Sequence, residues 1–206
     1  IRVGGDFYLT SSSFSNVPGL PVLHSKDLVH WEIIGHALPV LPPVDHYRTP
    51  RRGGGVWAPA IRYHAGRFYI YYPDPDFGIF MLSAADPAGP WSAPVLVDDD
   101  RGAIDPCPFW DDDGKAYLIH AFAKSRAGKN NRLVLKPMSA DGTHTQGPGR
   151  VVIDGAALAP VMTSLGKADW SVIEGPKLYK RDGWYYIFAP ADGVKNGWQA
   201  VFRSRA

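Results

Sequence analysis

Ser171-Val-Ile-Glu-Gly-Pro-Lys-Leu-Tyr179 runs directly into Lys180-Arg-Asp-Gly-Trp-Tyr-Tyr-Ile-Phe188. The apolar and aromatic residues on either side of Lys180-Arg-Asp-Gly183 predict two strands joined by a tight turn. Glu174 stands where the first strand opens, after Val172 and Ile173 and before Gly175-Pro176. Only two of the twenty acidic residues are glutamate, Glu32 and Glu174. A carboxylate among apolar residues is costly to bury without a partner. Glu174 is therefore either an ion-paired or solvent-facing side chain, or part of a site.

The second strand begins a pattern that recurs. Gly5-Asp-Phe-Tyr-Leu-Thr, Gly66-Arg-Phe-Tyr-Ile-Tyr, Gly114-Lys-Ala-Tyr-Leu-Ile and Gly183-Trp-Tyr-Tyr-Ile-Phe share a glycine, a tyrosine three places on (Tyr8, Tyr69, Tyr117, Tyr186) and a following strand. Each is followed by a further strand ending near a serine: Ser25, Ser83, Ser139 and Ser204. Before the last three glycines comes another strand opening near a proline, at Trp57-Ala-Pro59, Asp105-Pro106 and Glu174-Gly-Pro176. A proline at the first residue of a strand removes no ladder hydrogen bond. The unit is an x-Pro strand, a hairpin at glycine, a second strand, a turn, and a third strand carrying serine. Repeats of this kind read as an all-β fold, a β-propeller in which each sheet buries its faces against its neighbours.

Composition agrees. Glycine and proline make up about a fifth of the 206 residues, and hydrophobic residues 45%, which suits short strands and turns around a sizeable core. A net charge of +2 is too small to imply nucleic acid or an anionic membrane as a partner. The single cysteine, Cys107, excludes an intramolecular disulfide and reads as a small buried side chain between two prolines. No apolar run is long enough to span a membrane as a helix. The stretches 36–55, 123–132 and 141–169 read as loops, and no helix is predicted. No linker marks a second domain, so residues 1–206 read as one propeller domain.

In a propeller the inner strands converge on the axis. The x-Pro strands would bring Trp57, Asp105 and Glu174 together from three units. An aromatic face packs against sugar C–H groups, and two carboxyl groups in different surroundings can divide acid and base work. Core packing for Trp57 and a turn role for Asp105 are the alternatives at each position taken singly. Other chemistry is not signalled. No phosphate loop or dinucleotide fingerprint is present, and the seven histidines show no zinc-ligand spacing. Asp98-Asp-Asp100 and Asp111-Asp-Asp113 read as turn residues rather than metal ligands.

Several elements in order resemble glycoside hydrolase family 43. They are Tyr8-Leu-Thr-Ser-Ser-Ser-Phe14 with Pro18-Gly-Leu-Pro21, Ser25-Lys-Asp-Leu-Val-His-Trp31, Gly55-Val-Trp-Ala-Pro59, Gly102-Ala-Ile-Asp-Pro106 with Asp111-Asp-Asp-Gly-Lys-Ala-Tyr117, and Val172-Ile-Glu-Gly-Pro176. The resemblance implies a five-bladed propeller, about four blades of it in this chain, and inverting hydrolysis of xylo- or arabino-oligosaccharides or polysaccharides. It implies Glu174 as general acid and Asp105 as the residue that orients the acid and raises its pKa by like charge. Phe14 and Trp57 would wall the sugar pocket. Trp198 is a weaker candidate for the rim, with surface or core packing as its alternative.

The family's general base is an aspartate on the first inner strand, and the repeat count places that element before Ile1. These 206 residues are therefore expected to be a fragment without the base and without an opening first strand, inactive on their own. No cofactor or metal is expected; a calcium ion on the axis is compatible with the family, with no ligands assigned. A carbohydrate-binding propeller without catalysis is the alternative function.

Overall fold

The computed structural model describes residues 1–158 and 170–205. Four antiparallel sheets follow one another along the chain as successive blades. The first is β1 (Arg2–Val3), β2 (Asp6–Thr10), β3 (Gly19–Ser25) and β4 (Glu32–Leu38). The second is β5 (Ala60–His64), β6 (Arg67–Asp74), β7 (Gly78–Ala84) and β8 (Val95–Asp98). The third is β9 (Ala103–Trp110), β10 (Ala116–Phe122), β11 (Arg132–Met138) and β12 (Arg150–Asp154). The fourth has three described strands, β13 (Lys177–Arg181), β14 (Trp184–Ala191) and β15 (Trp198–Ser204). Each repeated glycine lies in or beside the hairpin between the first two strands of its blade, so the repeat unit is the blade.

The first blade corrects one expectation. An opening strand is present: Arg2 and Val3 pair with Phe7 and Asp6 across the Gly4-Gly5 turn. A hairpin needs residues only next to its turn, and these two suffice. The loops are corrected in the same way. The outer strands β4 and β12 and a helical turn at Lys124–Ala127 occupy parts of the stretches read as irregular, and helical turns also form at Val44–Tyr47 and Gly193–Asn196. Outer strands carry no glycine-aromatic signature and half their residues face solvent, so their sequences look like loop. Residues 159–169 of the third predicted loop lie outside the described residues.

The core sits between blades. Tyr72 and Ile70 of β6 pack with Leu20, Val22 and Leu38 of the first blade, while Tyr71, between them, packs with Ala116, Leu118 and Met138 of the third. Successive residues of a strand point to opposite faces, and both faces of β6 are covered. That is why Tyr69-Ile-Tyr-Tyr72 reads as a continuous apolar run. In β10, Leu118 packs towards the second blade, and Ile119 and Ala121 pack with Ile173, Leu178 and Ala189 of the fourth. Cys107 is fully buried in that cluster, as the sequence predicts, and accepts a hydrogen bond from the Leu178 N–H at 3.3 Å.

The acidic runs are partly structural. Asp98 ends β8 and is buried. The Lys136 ammonium lies 2.6 Å from its carboxylate and 2.7 Å from that of Asp100. The side-chain oxygens of Asp98, Asp99 and Asp100 approach within 4.8 Å of one another, and the Lys136 ammonium offsets part of that negative charge at Asp98 and Asp100. Asp111 is likewise more than a turn residue, accepting hydrogen bonds from Lys180 and Tyr185 of the fourth blade at 2.5 Å each. Among the described residues no helix is long and apolar enough to cross a membrane.

Candidate active site

Four of the predicted site residues meet in one cleft of about 440 Å³. Its lining includes Ser12, Phe14, Trp57, Asp105, Glu174, Lys177 and Pro190. A larger depression of about 680 Å³, along Tyr8, Trp31, Arg62 and Tyr179, has no carboxylate in its lining. The carboxylates of Asp105 and Glu174 line the smaller cleft.

Each side chain is placed by a local device. Phe14 leaves the first blade on the loop after β2 and is tied to the segment before β5 by a two-way backbone bridge. The Phe14 N–H donates to Val56 at 2.9 Å and the Val56 N–H to Phe14 at 3.0 Å. The bridge sets Phe14 beside Trp57, which is fixed by its backbone N–H on the Pro73 carbonyl (3.0 Å) and its indole N–H on the Gly53 carbonyl (2.9 Å). Gly55 makes the crossing possible: its φ is +87°, and a Cβ there would lie 2.5 Å from the Phe14 carbonyl oxygen. Gly55→Ala is expected to cost about 1–3 kcal/mol of stability and to raise KM through the displaced Phe14. Chemical denaturation and steady-state kinetics on the full-length gene product check both.

Asp105 lies inside β9 rather than before it. The β9–β10 register shifts between the pairs Cys107–Ile119 and Ile104–Ala121, and Asp105 has φ +53°. This is a bulge, which re-aims a side chain at a site, and Pro106 has no N–H to leave unpaired. Asp105 is 9% exposed, and its carboxylate accepts the Gly175 N–H at 2.8 Å. Glu174 is held next to it by an isolated bridge, Ile173 to Ala191, and by its own N–H on Pro190 at 3.1 Å. The two carboxyl groups thus come from adjacent blades, and the Asp105 carboxylate is tied to the peptide that follows Glu174.

Their electrostatics follow from that placement. Burial pushes the Glu174 carboxyl above its ordinary value, and the charge of Asp105 adds to the rise. Like charge acts in the predicted direction, with burial the larger cause. Burial also pushes Asp105 up, while the Gly175 N–H and the Lys177 ammonium favour its ionised form. Lys177 carries no motif that marks it in the sequence. The available signal was its position, third after Glu174 at the start of an inner strand.

Trp198 is not brought to the cleft lining. It packs edge-on against Trp170, ring centres 4.6 Å apart and planes at 73°, on the core between the third and fourth blades. Among the described cleft-lining residues, Asp105 and Glu174 are the only acids.

Comparison with known proteins places the chain in a family. The model of the family described as glycosyl hydrolases family 43 matches residues 1–206. The chain is 37% identical over 201 residues to a xylosidase/arabinosidase of Butyrivibrio fibrisolvens, covering 94% of this chain and 36% of that protein. It is 39% identical over 199 residues to the non-reducing end alpha-L-arabinofuranosidase BoGH43B of Bacteroides ovatus, covering 94% and 33%. The solved structure of the GH43 BlXynB protein from Bacillus licheniformis superimposes with a TM-score of 0.79 at 29% identity, over 100% of this chain and 38% of that one. The chain thus spans about a third of the length of the relatives it matches.

Proposed function

Because the chain belongs to glycosyl hydrolases family 43, we propose that its cleft is part of a glycosidase site that cleaves the O-glycosidic bonds of xylo- or arabino-configured saccharides with inversion. The observation that carries this is Glu174: a carboxyl group in an aromatic-walled cleft whose pKa is raised by burial and by the charge of the neighbouring Asp105. A general acid needs a raised pKa so that it still holds its proton near neutral pH. The names of the relatives, xylosidase/arabinosidase and alpha-L-arabinofuranosidase, support the pentose class.

In the proposed step the bond between the anomeric carbon and the leaving oxygen breaks as Glu174 passes its proton to that oxygen. Water adds to the opposite face of the sugar and gives up a proton to a base. Asp105 keeps Glu174 oriented and charged with its proton. Phe14 and Trp57 receive the apolar faces of the ring. No residue among these 206 is assigned as the base.

The test is turnover by the full-length gene product of 4-nitrophenyl β-D-xylopyranoside and 4-nitrophenyl α-L-arabinofuranoside, with the first-formed anomer read by NMR. Hydrolysis of at least one with inverted configuration is expected. A folded protein that hydrolyses neither would overturn the proposal, and one that binds xylose or arabinose without turnover would be the carbohydrate binder.

A further inference from the structure

Beside Trp57 lies a charged assembly built from three loops of two blades. Arg126, in the helical turn Lys124–Ala127 of the third blade, places its guanidinium carbon 5.6 Å from the Trp57 ring centre. Its Nε and Nη2 donate to the two carboxylate oxygens of Asp76, both at 3.2 Å, and its Nη1 donates to the Ser125 hydroxyl at 3.1 Å. Asp76 sits in the β6–β7 turn of the second blade. It is held by its own N–H on Asp74 at 3.1 Å, and Asp74 accepts the Tyr47 hydroxyl. Arg101, on the connection between these blades, adds a contact to Asp76 at 3.5 Å.

The loop is clamped at its backbone as well. The Ala123 N–H donates to Gly102 and the Gly102 N–H to Pro75, each at 2.8 Å. Gly102 has φ +82°, and a Cβ there would lie 2.8 Å from Ala127 and 3.0 Å from the Arg126 side chain. A two-pronged arginine–carboxylate pair is directional. A guanidinium within about 6 Å of an indole attracts the ring face. A solvated surface arginine would need neither the fork nor the close-packed glycine.

We propose that Arg126, seated on Asp76, is a positioning residue that fixes the Trp57 ring as the sugar-binding wall, and so sets affinity rather than the bond-breaking rate. The inference rests on the hydrolase reading of the cleft only in naming the sugar as ligand. An interaction made equally in the ground state and the transition state raises KM on removal and leaves kcat in place.

The experiment uses the full-length gene product and whichever of the two 4-nitrophenyl glycosides it turns over faster. Arg126→Ala is expected to raise KM about tenfold with kcat within about threefold. Arg126→Lys, which keeps a cation but loses the fork, is expected to recover part of the loss. The deciding arm is a double-mutant cycle. In a Trp57→Ala background the same Arg126→Ala change is expected to alter kcat/KM by less than about twofold. A tenfold loss that persists without Trp57, or an unchanged KM in the single variant, overturns the inference. Should Arg126→Ala fail to fold, the cycle is run with Arg126→Lys, whose smaller KM rise must also vanish without Trp57. Titration with D-xylose and L-arabinose followed by tryptophan fluorescence reads the same loss of affinity without turnover. Absence of turnover in the unsubstituted protein therefore removes the hydrolase reading alone.

Discussion

Glu174→Gln is expected to lower kcat on an unactivated disaccharide, xylobiose or its arabinofuranosyl counterpart, by about 10²–10⁴, the usual worth of a positioned general acid, while KM moves only a few-fold. The amide keeps the shape of the side chain and the backbone bond to Pro190, so the wall of the cleft is preserved and only the proton is lost. The loss should be smaller with a 4-nitrophenyl leaving group, which departs as an anion without help. The pH profile separates this from a structural defect. In the unsubstituted protein kcat/KM should fall on the alkaline side as Glu174 gives up a proton that burial and Asp105 had retained. In the glutamine variant that limb should be missing. Full-length enzyme assayed on both leaving groups across pH supplies the measurement. Equal disaccharide rates for the two proteins would remove Glu174 from the acid role.

The parts of this fold that the sequence makes legible are those with a repeated physical requirement. A hairpin needs a residue that tolerates positive φ, and Gly66, Gly114 and Gly183 supply it at +80°, +82° and +74°; the strand after it needs side chains for both covered faces, and the tyrosines and β-branched residues supply those. Outer strands face solvent and meet neither demand, so the end of β4 and all of β12 read as loop. The same logic separates the site residues. Trp57, Asp105 and Glu174 stand at matching places in the repeat, whereas Phe14 rests on family resemblance because its approach to Trp57 is made by a bridge between blades. Arg126 and Lys177 were silent for that reason too. Their partners, Asp76 and Asp105, are 50 and 72 positions away, and only the packing of one blade on the next brings them together.

Asp105→Asn should separate function from stability in opposite directions. Asparagine can still accept the Gly175 N–H through its carbonyl oxygen, so the bulge and the seat of Glu174 survive. What disappears is a negative charge beside the acid. Glu174 then titrates lower, and the alkaline limb of kcat/KM is expected to move to lower pH. With the acid also less firmly oriented, kcat is expected to fall about 10²-fold. Stability moves the other way. Burial raises the folded-state pKa of Asp105 above its ordinary 3.8, so the folded protein holds this proton more tightly than the unfolded chain does. Its contribution is therefore full below pH 3.8 and is lost as pH rises through the folded value. At pH 7 the buried carboxylate is a burden that the amide lacks. The variant should melt a few degrees higher than the unsubstituted protein at neutral pH, with the gap closing as pH falls below 3.8. Thermal unfolding at pH 7 and pH 3, beside the kinetic profile, tests both halves. A variant that is less stable at neutral pH, or whose alkaline limb stays in place, would mean that Asp105 serves the fold and not the acid.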